Sequence, residues 1–337
     1  VTLRVACLGA GYFAKFHYDA WDRLERAQGV GACDQDISRA QETGWTAFED
    51  LSKMLSDTKP DILDIVVPPQ GHRTAIETAL SHPLKAIICQ KPFCTTLTEA
   101  REMCAMAEEA DVPLIIHENF RFQPWYRHIK KTIESGALGD VLQVTFRLRP
   151  GDGQGPDAYL ERQPYFQTMP RLLIHETGVH FIDVFRYLLG EPVAAYADLR
   201  QVNPVLKGED AGLFTLDFAS GARALFDGNR LLDHGAENCR ITLGEALVEG
   251  TDGTLELRGD GSVQIRKFGE AAGVVSFPAQ DWPGFGGDCV HALCDHVLDG
   301  LHDGAPFENL ARTYLSILEL EETLYRSASE GRKIALD

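Results

Sequence analysis

Leu3-Arg4-Val5-Ala6-Cys7-Leu8-Gly9-Ala10-Gly11-Tyr12-Phe13-Ala14 decides the fold. Leu3–Leu8 is a short apolar run and reads as a buried strand. It breaks at once into Gly9-Ala10-Gly11, and a helical pattern follows from about Phe13 to Leu24. Strand, glycine turn and helix in that order are the context that a dinucleotide-binding fingerprint requires. Gly9 permits the tight turn and Gly11 lets the backbone approach a pyrophosphate. Ala14, in place of a third glycine, still allows close packing of helix on strand. The anion would rest on the helix N-terminus beside Tyr12 and Phe13, where free N–H groups and the helix dipole favour negative charge.

Further along, apolar runs alternate with helical stretches up to about residue 122. Val30–Asp34, Asp61–Val67, Ala86–Gln90 and Leu114–His117 read as strands. Ile37–Thr43, Gly71–His82 and Thr96–Ala110 read as the helices between them. This alternation predicts an α/β fold with a doubly wound parallel sheet, whose ligand crevice lies at the carboxyl ends of the strands. Asp34 ends the second strand 20 residues after Ala14. A carboxylate there accepts hydrogen bonds from the ribose hydroxyls of NAD and repels the 2′-phosphate of NADP, so NAD is the expected cofactor. Pro68-Pro69-Gln70-Gly71-His72 and Gln90-Lys91-Pro92 leave two further strands at the same end.

After Phe122 the texture changes. Pro124–Ser135 reads as a helix, Val141–Leu148 as a long strand and Gly151–Pro170 as a loop rich in Gly, Pro and Gln. Leu172–Leu189 reads as one helix. Alternating segments from Val193 to about Phe277 predict an open, mostly antiparallel sheet, with its clearest hairpin around Ser220-Gly221. Two helices, about Gly286–Leu298 and Glu308–Ser329, close the chain. The expected division is a nucleotide-binding domain over 1–122 and a substrate-binding and oligomerisation domain over 123–337. Apolar positions on both faces of strand Arg223–Asp227 predict a homodimer or homotetramer through the sheet.

His175-Glu176-Thr177-Gly178-Val179-His180…Asp183 lies in the predicted helix 172–189. The two histidines are five residues apart, about 140° around a helix, which defeats chelation of one metal ion. Glu176 and His180 share a face, and Asp183 is placed to orient the imidazole. An imidazole between carboxylates suits proton transfer near neutral pH. No metal is expected there, nor at the Cys89/Cys94 or Cys289/Cys294 pairs, whose spacing is too wide for a zinc knuckle.

Composition narrows the partners. The 337 residues are 44% hydrophobic and 24% charged, with a net charge of −18, which repels nucleic acid and anionic membranes but not a neutral substrate. No apolar run approaches the roughly 18 residues of a membrane span. Leu3–Leu8 lacks the flanks of a secretory signal, and eight cysteines are too sparse for a disulfide scaffold. These features predict a cytoplasmic enzyme with free thiols.

Together Gly9–Ala14, Asp34, the Pro-Pro stretch ending in His72, Gln90-Lys91-Pro92, His117-Glu118-Asn119-Phe120-Arg121 and Glu176–Asp183 resemble the Gfo/Idh/MocA oxidoreductases (glucose–fructose oxidoreductase, inositol dehydrogenase, rhizopine catabolism). Within that family, Cys89–Phe93, His117–Gln123 and Val202-Asn203-Pro204 with Lys207–Asp210 are similar to the D-apiose dehydrogenase branch. The resemblance implies an N-terminal Rossmann domain, a C-terminal α/β domain, NAD, and hydride transfer at a hydroxyl of a sugar or cyclitol. It gives the catalytic roles to Lys91 and His180, with Glu176. It gives cofactor binding to Gly9, Gly11, Tyr12, Phe13, Asp34, Pro68, Pro69, His72, Gln90 and Lys91. Substrate binding falls to Asn119, Arg121, Glu176 and His180. The chain departs from the family pattern where Gln90 stands for Glu, Glu176 for Asp and Leu172 for an upstream Gly. A non-catalytic NAD-binding sensor and an NAD-dependent glycosidase are the other activities such a fold can carry.

Overall fold

The computed structural model describes residues 1–336. In chain order its regular elements begin β1 Leu3–Leu8, α1 Ala14–Asp22, β2 Ala27–Cys33, α2 Ile37–Glu42, β3 Ala47–Phe48, α3 Leu51–Thr58, β4 Ile62–Ile65, α4 His72–Leu80, β5 Ala86–Gln90, α5 Leu97–Glu109 and β6 Leu114–His117. They continue with α6 Pro124–Glu134, β7 Val141–Leu148, α7 Val179–Leu189, β8 Pro192–Arg200, β9 Ala211–Phe218, β10 Arg223–Asn229, β11 Gly244–Gly250 and β12 Gly253–Leu257. The last are β13 Val263–Lys267, β14 Val274–Phe277, α8 Cys289–Asp303, α9 Ala311–Glu330 and β15 Ile334–Ala335. Two units form. One holds residues 1–119 with 288–316, the other 120–287 with the chain from Ile317 onward. The expected cut after residue 122 therefore moves to 119/120. Helix α8, expected with the second domain, belongs to the first unit, where it packs on α1.

The first unit is a parallel six-stranded sheet in the order β3-β2-β1-β4-β5-β6. Its central strands are apolar on both faces, as a sheet covered by helices on both sides requires; Val5, Ala6, Ile62, Leu63, Ile87 and Ile88 are fully buried. Helices α2, α3 and α5 start where side chains supply caps. Asp36, Asp50 and Thr96 accept from the backbone N–H groups of Ser38, Lys53 and Glu99, each cap worth about 1 kcal/mol.

The second unit is a nine-stranded sheet in the order β14-β13-β12-β11-β7-β10-β9-β8-β15. Only β7 and β10 pair parallel; the other neighbours are antiparallel. One face packs on α7 through stacked rings, with Phe181 3.9 Å from Phe146 and Phe214 4.8 Å from Phe226. On the other face Leu225 stands between Thr215 and Thr145, and Leu247 is opposite Thr145. Leu213 and Leu247 remain exposed on it.

The helix expected over 172–189 is two pieces. Leu173–Gly178 is a π-helical turn, and α7 begins at Val179. Partners outside the helix explain the wide turn. The Leu173 N–H donates to the Glu209 carbonyl, Ile174 N–H to the Glu209 carboxylate and His175 N–H to the Tyr325 hydroxyl. The loop 151–170 carries a 3₁₀ turn, Pro164–Thr168, and its own small core of Ala158, Tyr159 and Phe166 against Leu172 and Leu206. Among the described residues, no helix is long and apolar enough to cross a membrane. All eight cysteines are free thiols.

Candidate active site

At the carboxyl end of β1 the Gly9 N–H donates to the Cys33 carbonyl at 2.7 Å, tying the turn to the end of β2. Gly9 has φ +104°, and a Cβ there would stand 2.2 Å from the Val66 carbonyl oxygen. Only glycine fits. A Cβ on Gly11 would meet nothing within 4 Å. The space beside that backbone is open, as a pyrophosphate requires. Ala14 is buried at the first turn of α1. Asp34 accepts from the Ala10 N–H at 2.8 Å with one oxygen and from the Asp36 N–H at 2.9 Å with the other. Each carboxylate oxygen has a second lone pair, so both ribose hydroxyls can still be accepted. Turn, open space and carboxylate together fit NAD.

The neighbouring residues take varied positions. Tyr12 is exposed, with the Lys15 ammonium 4.3 Å from its ring centre. Phe13 packs on Phe16 and His17. Pro68 is exposed and Pro69 opens a short 3₁₀ turn. His72, expected to touch the cofactor, is fully buried, and its Nε2 meets the Val67 carbonyl at 2.8 Å. That bond makes Nε2 the protonated nitrogen. Burial lowers the imidazole pKa, and the neutral ring braces the β4–α4 turn from behind. Lys91 follows β5, half-buried, at the same end of the sheet as Gly9. Its N–H donates to the Gln90 side-chain oxygen at 2.9 Å. Asn119 is buried, and its amide nitrogen has no hydrogen-bond partner.

In the second unit the His180 ring lies face to face with Phe120, 3.8 Å away and 3° from parallel. Asp183, expected to orient the imidazole, also holds a cation. Its two oxygens receive the Arg121 guanidinium at 2.8 and 2.5 Å, with the carboxylate buried. Arg121, expected to bind substrate, is thus held in an internal ion pair. Glu176 accepts from the Thr177 hydroxyl at 2.6 Å and stands 3.5 Å from Arg230.

Arg230 escaped the sequence reading. It is buried, donates to the Tyr159 hydroxyl at 2.7 Å, the Thr177 hydroxyl at 2.7 Å and Asp152 at 3.0 Å, and so joins the loop 151–170 to the turn carrying Glu176. Its neighbours Asp152, Tyr159 and Glu176 hold its pKa up against burial. Tyr165 of the same loop is exposed, whereas Tyr159 is buried.

A family model described as the oxidoreductase family with an NAD-binding Rossmann fold matches residues 3–118, and the GFO/IDH/MocA C-terminal domain matches residues 126–256. The chain belongs to the Gfo/Idh/MocA oxidoreductases. It is 31% identical to a D-apiose dehydrogenase of Rhizobium rhizogenes over 98% of this chain and 97% of that one. An inositol 2-dehydrogenase of Rhizobium meliloti is 25% identical over the whole of both chains. Among solved structures, an oxidoreductase from Agrobacterium radiobacter in complex with NAD+, L-tartaric acid and magnesium superposes with a TM-score of 0.89 at 29% identity, covering 99% of this chain and 98% of that one. The Rossmann domain, NAD as cofactor and the mixed second sheet, all expected of a Gfo/Idh/MocA oxidoreductase, are therefore established.

Proposed function

We propose that this oxidoreductase oxidises a hydroxyl of a neutral sugar or cyclitol with NAD, an aldose such as D-apiose being the first candidate. The observation that carries the reading is Lys91. It stands at the carboxyl end of β5, in the same sheet and at the same end as the Gly9–Gly11 turn. Whole-length similarity to a D-apiose dehydrogenase supports the substrate class.

NAD, when bound, supplies the hydride acceptor. The Lys91 ammonium donates to the reacting hydroxyl and stabilises the negative charge that develops on its oxygen. His180 takes the proton, its ring held flat by Phe120. The Arg121–Asp183 pair fixes the helix that carries His180. Glu176, steadied by Arg230 and Thr177, and the Asn119 amide bind neighbouring hydroxyls. The copies associate as a homodimer or homotetramer through the outer sheet face around Leu213, Leu225 and Leu247.

A panel of aldoses and cyclitols with NAD and NADP in parallel tests the activity. Reduction of NAD by at least one of them, with D-apiose among the best, is expected. No reduction with any of them returns the sensor reading, and sugar release from a glycoside without net NADH returns the glycosidase reading. Light scattering tests the assembly, and a monomer at micromolar concentration contradicts it.

A further inference from the structure

Inside the first unit a buried carboxylate interrupts the apolar strand Ile62-Leu63-Asp64-Ile65. Asp64 is fully buried, a costly position unless its charge is paired. One of its oxygens receives the Trp21 indole N–H and the Nδ1 of His17, both at 2.8 Å. A carboxylate accepts only, so Nδ1 carries the proton, and Nε2 of a neutral His17 is an acceptor. The group facing Nε2 is the side-chain nitrogen of Gln90 at 3.1 Å. The Gln90 side-chain oxygen in turn accepts from the Lys91 N–H at 2.9 Å. Every donor in this chain meets an acceptor, running from Lys91 through Gln90 and His17 to Asp64. His17 is fully buried, with Asp64 from β4, Gln90 from β5, the His117 ring from β6 at 4.1 Å, Trp21 of its own helix and Phe13 just before that helix around it.

We propose that His17, fixed by Asp64, is a positioning residue for Lys91 and acts through the Gln90 amide. The proposal rests on the reading that Lys91 acts on the substrate hydroxyl. The chemistry of position 90 matters because an amide both donates and accepts. A carboxylate there would accept only. His17 would then need a proton on both nitrogens to serve Asp64 and residue 90 together.

The test combines kinetics with the nitrogen chemical shifts of the His17 ring, measured on the full-length protein. The wild type should show the neutral Nδ1–H tautomer, and Gln90→Glu at neutral pH the doubly protonated ring. Gln90→Glu and His17→Asn should each lower kcat by about tenfold to a hundredfold, the scale of a small misplacement of a reacting group, and His17→Asn should do so with the NAD dissociation constant unchanged. His17→Gln, whose side-chain oxygen reaches toward the place of Nε2, should recover most of the loss seen in His17→Asn. An Nε2–H tautomer in the wild type overturns the proposal. So does wild-type kcat in both Gln90→Glu and His17→Asn while Lys91→Ala is inactive. Full activity in Lys91→Ala would instead remove the reading of Lys91, and the ring shifts would still decide the hydrogen-bond chain.

Discussion

The Phe120 ring covers one face of the His180 imidazole at 3.8 Å, nearly parallel. The contact holds the ring plane without using either ring nitrogen, so it orients the imidazole and leaves its proton chemistry to other partners. An aromatic pair of this kind contributes about 0.5–1.5 kcal/mol beyond buried area. Phe120→Leu keeps the bulk and loses the flat stack. It should lower kcat by up to about tenfold, the equivalent of that energy, and change the NAD dissociation constant little. Steady-state kinetics with a titration of NAD binding checks both.

Arg121 and Asp183 form a two-point ion pair with the carboxylate 1% exposed. Breaking such a pair strands a buried charge, at a cost of about 3–5 kcal/mol, whereas replacing both partners with apolar residues is often neutral. Asp183→Leu alone should therefore unfold at much lower urea than the wild type, and Arg121→Met with Asp183→Leu should recover most of the difference. Equal losses in the single and double variants would show that Asp183→Leu leaves no costly unpaired charge behind.

Asp34 supports the glycine turn by accepting from the Ala10 and Asp36 N–H groups, and its expected further role is to accept from the ribose hydroxyls. Asp34→Ala should weaken NAD by about 1–3 kcal/mol, the scale for hydrogen bonds to a charged group, and should narrow the preference for NAD over NADP. Calorimetric titration of both cofactors reads this. Equal affinity for the two in the unmodified protein would contradict the role.

Burial lowers the pKa of His72 from its ordinary 6.5. The unfolded chain then binds a proton that the folded chain refuses, so stability rises with pH across that interval. The stability this neutral ring contributes is present above about 6.5 and is lost as the pH falls toward its lowered folded value. His72→Gln, which can still donate to the Val67 carbonyl, should flatten the acid side of the stability profile. Urea unfolding at a series of pH values measures it.

The first sheet is legible in the sequence because each of its main strands is a short apolar run closed by Gly, Pro or a polar residue, and the turn at Gly9 admits no other residue. Asp64 went unread: a lone carboxylate within Ile62–Ile65 needs buried partners, and nothing local names them as His17 and Trp21. The π-helical turn at Leu173–Gly178 was not legible either, because it depends on Glu209 and Tyr325, 35 and 150 residues from the groups they bind. Arg230 was hidden for the same reason. Its partners Thr177, Tyr159 and Asp152 lie 53, 71 and 78 residues away. The bidentate partner of Asp183 was hidden as well, because Arg121 comes from outside the helix, 62 residues away.

In the proposed reaction Lys91 and His180 serve one hydroxyl during transfer of hydride to NAD. Single-turnover formation of NADH from a sugar substrate, followed across pH in wild type, Lys91→Ala, His180→Ala and the double variant, tests it most directly. Each single variant should be slower by about 10²–10⁴-fold, and the double variant should be little slower than the worse single one. The rise of the wild-type rate with pH should vanish in His180→Ala. A His180→Ala protein with full turnover and an unchanged pH profile, or single losses that multiply in the double variant, would contradict the account.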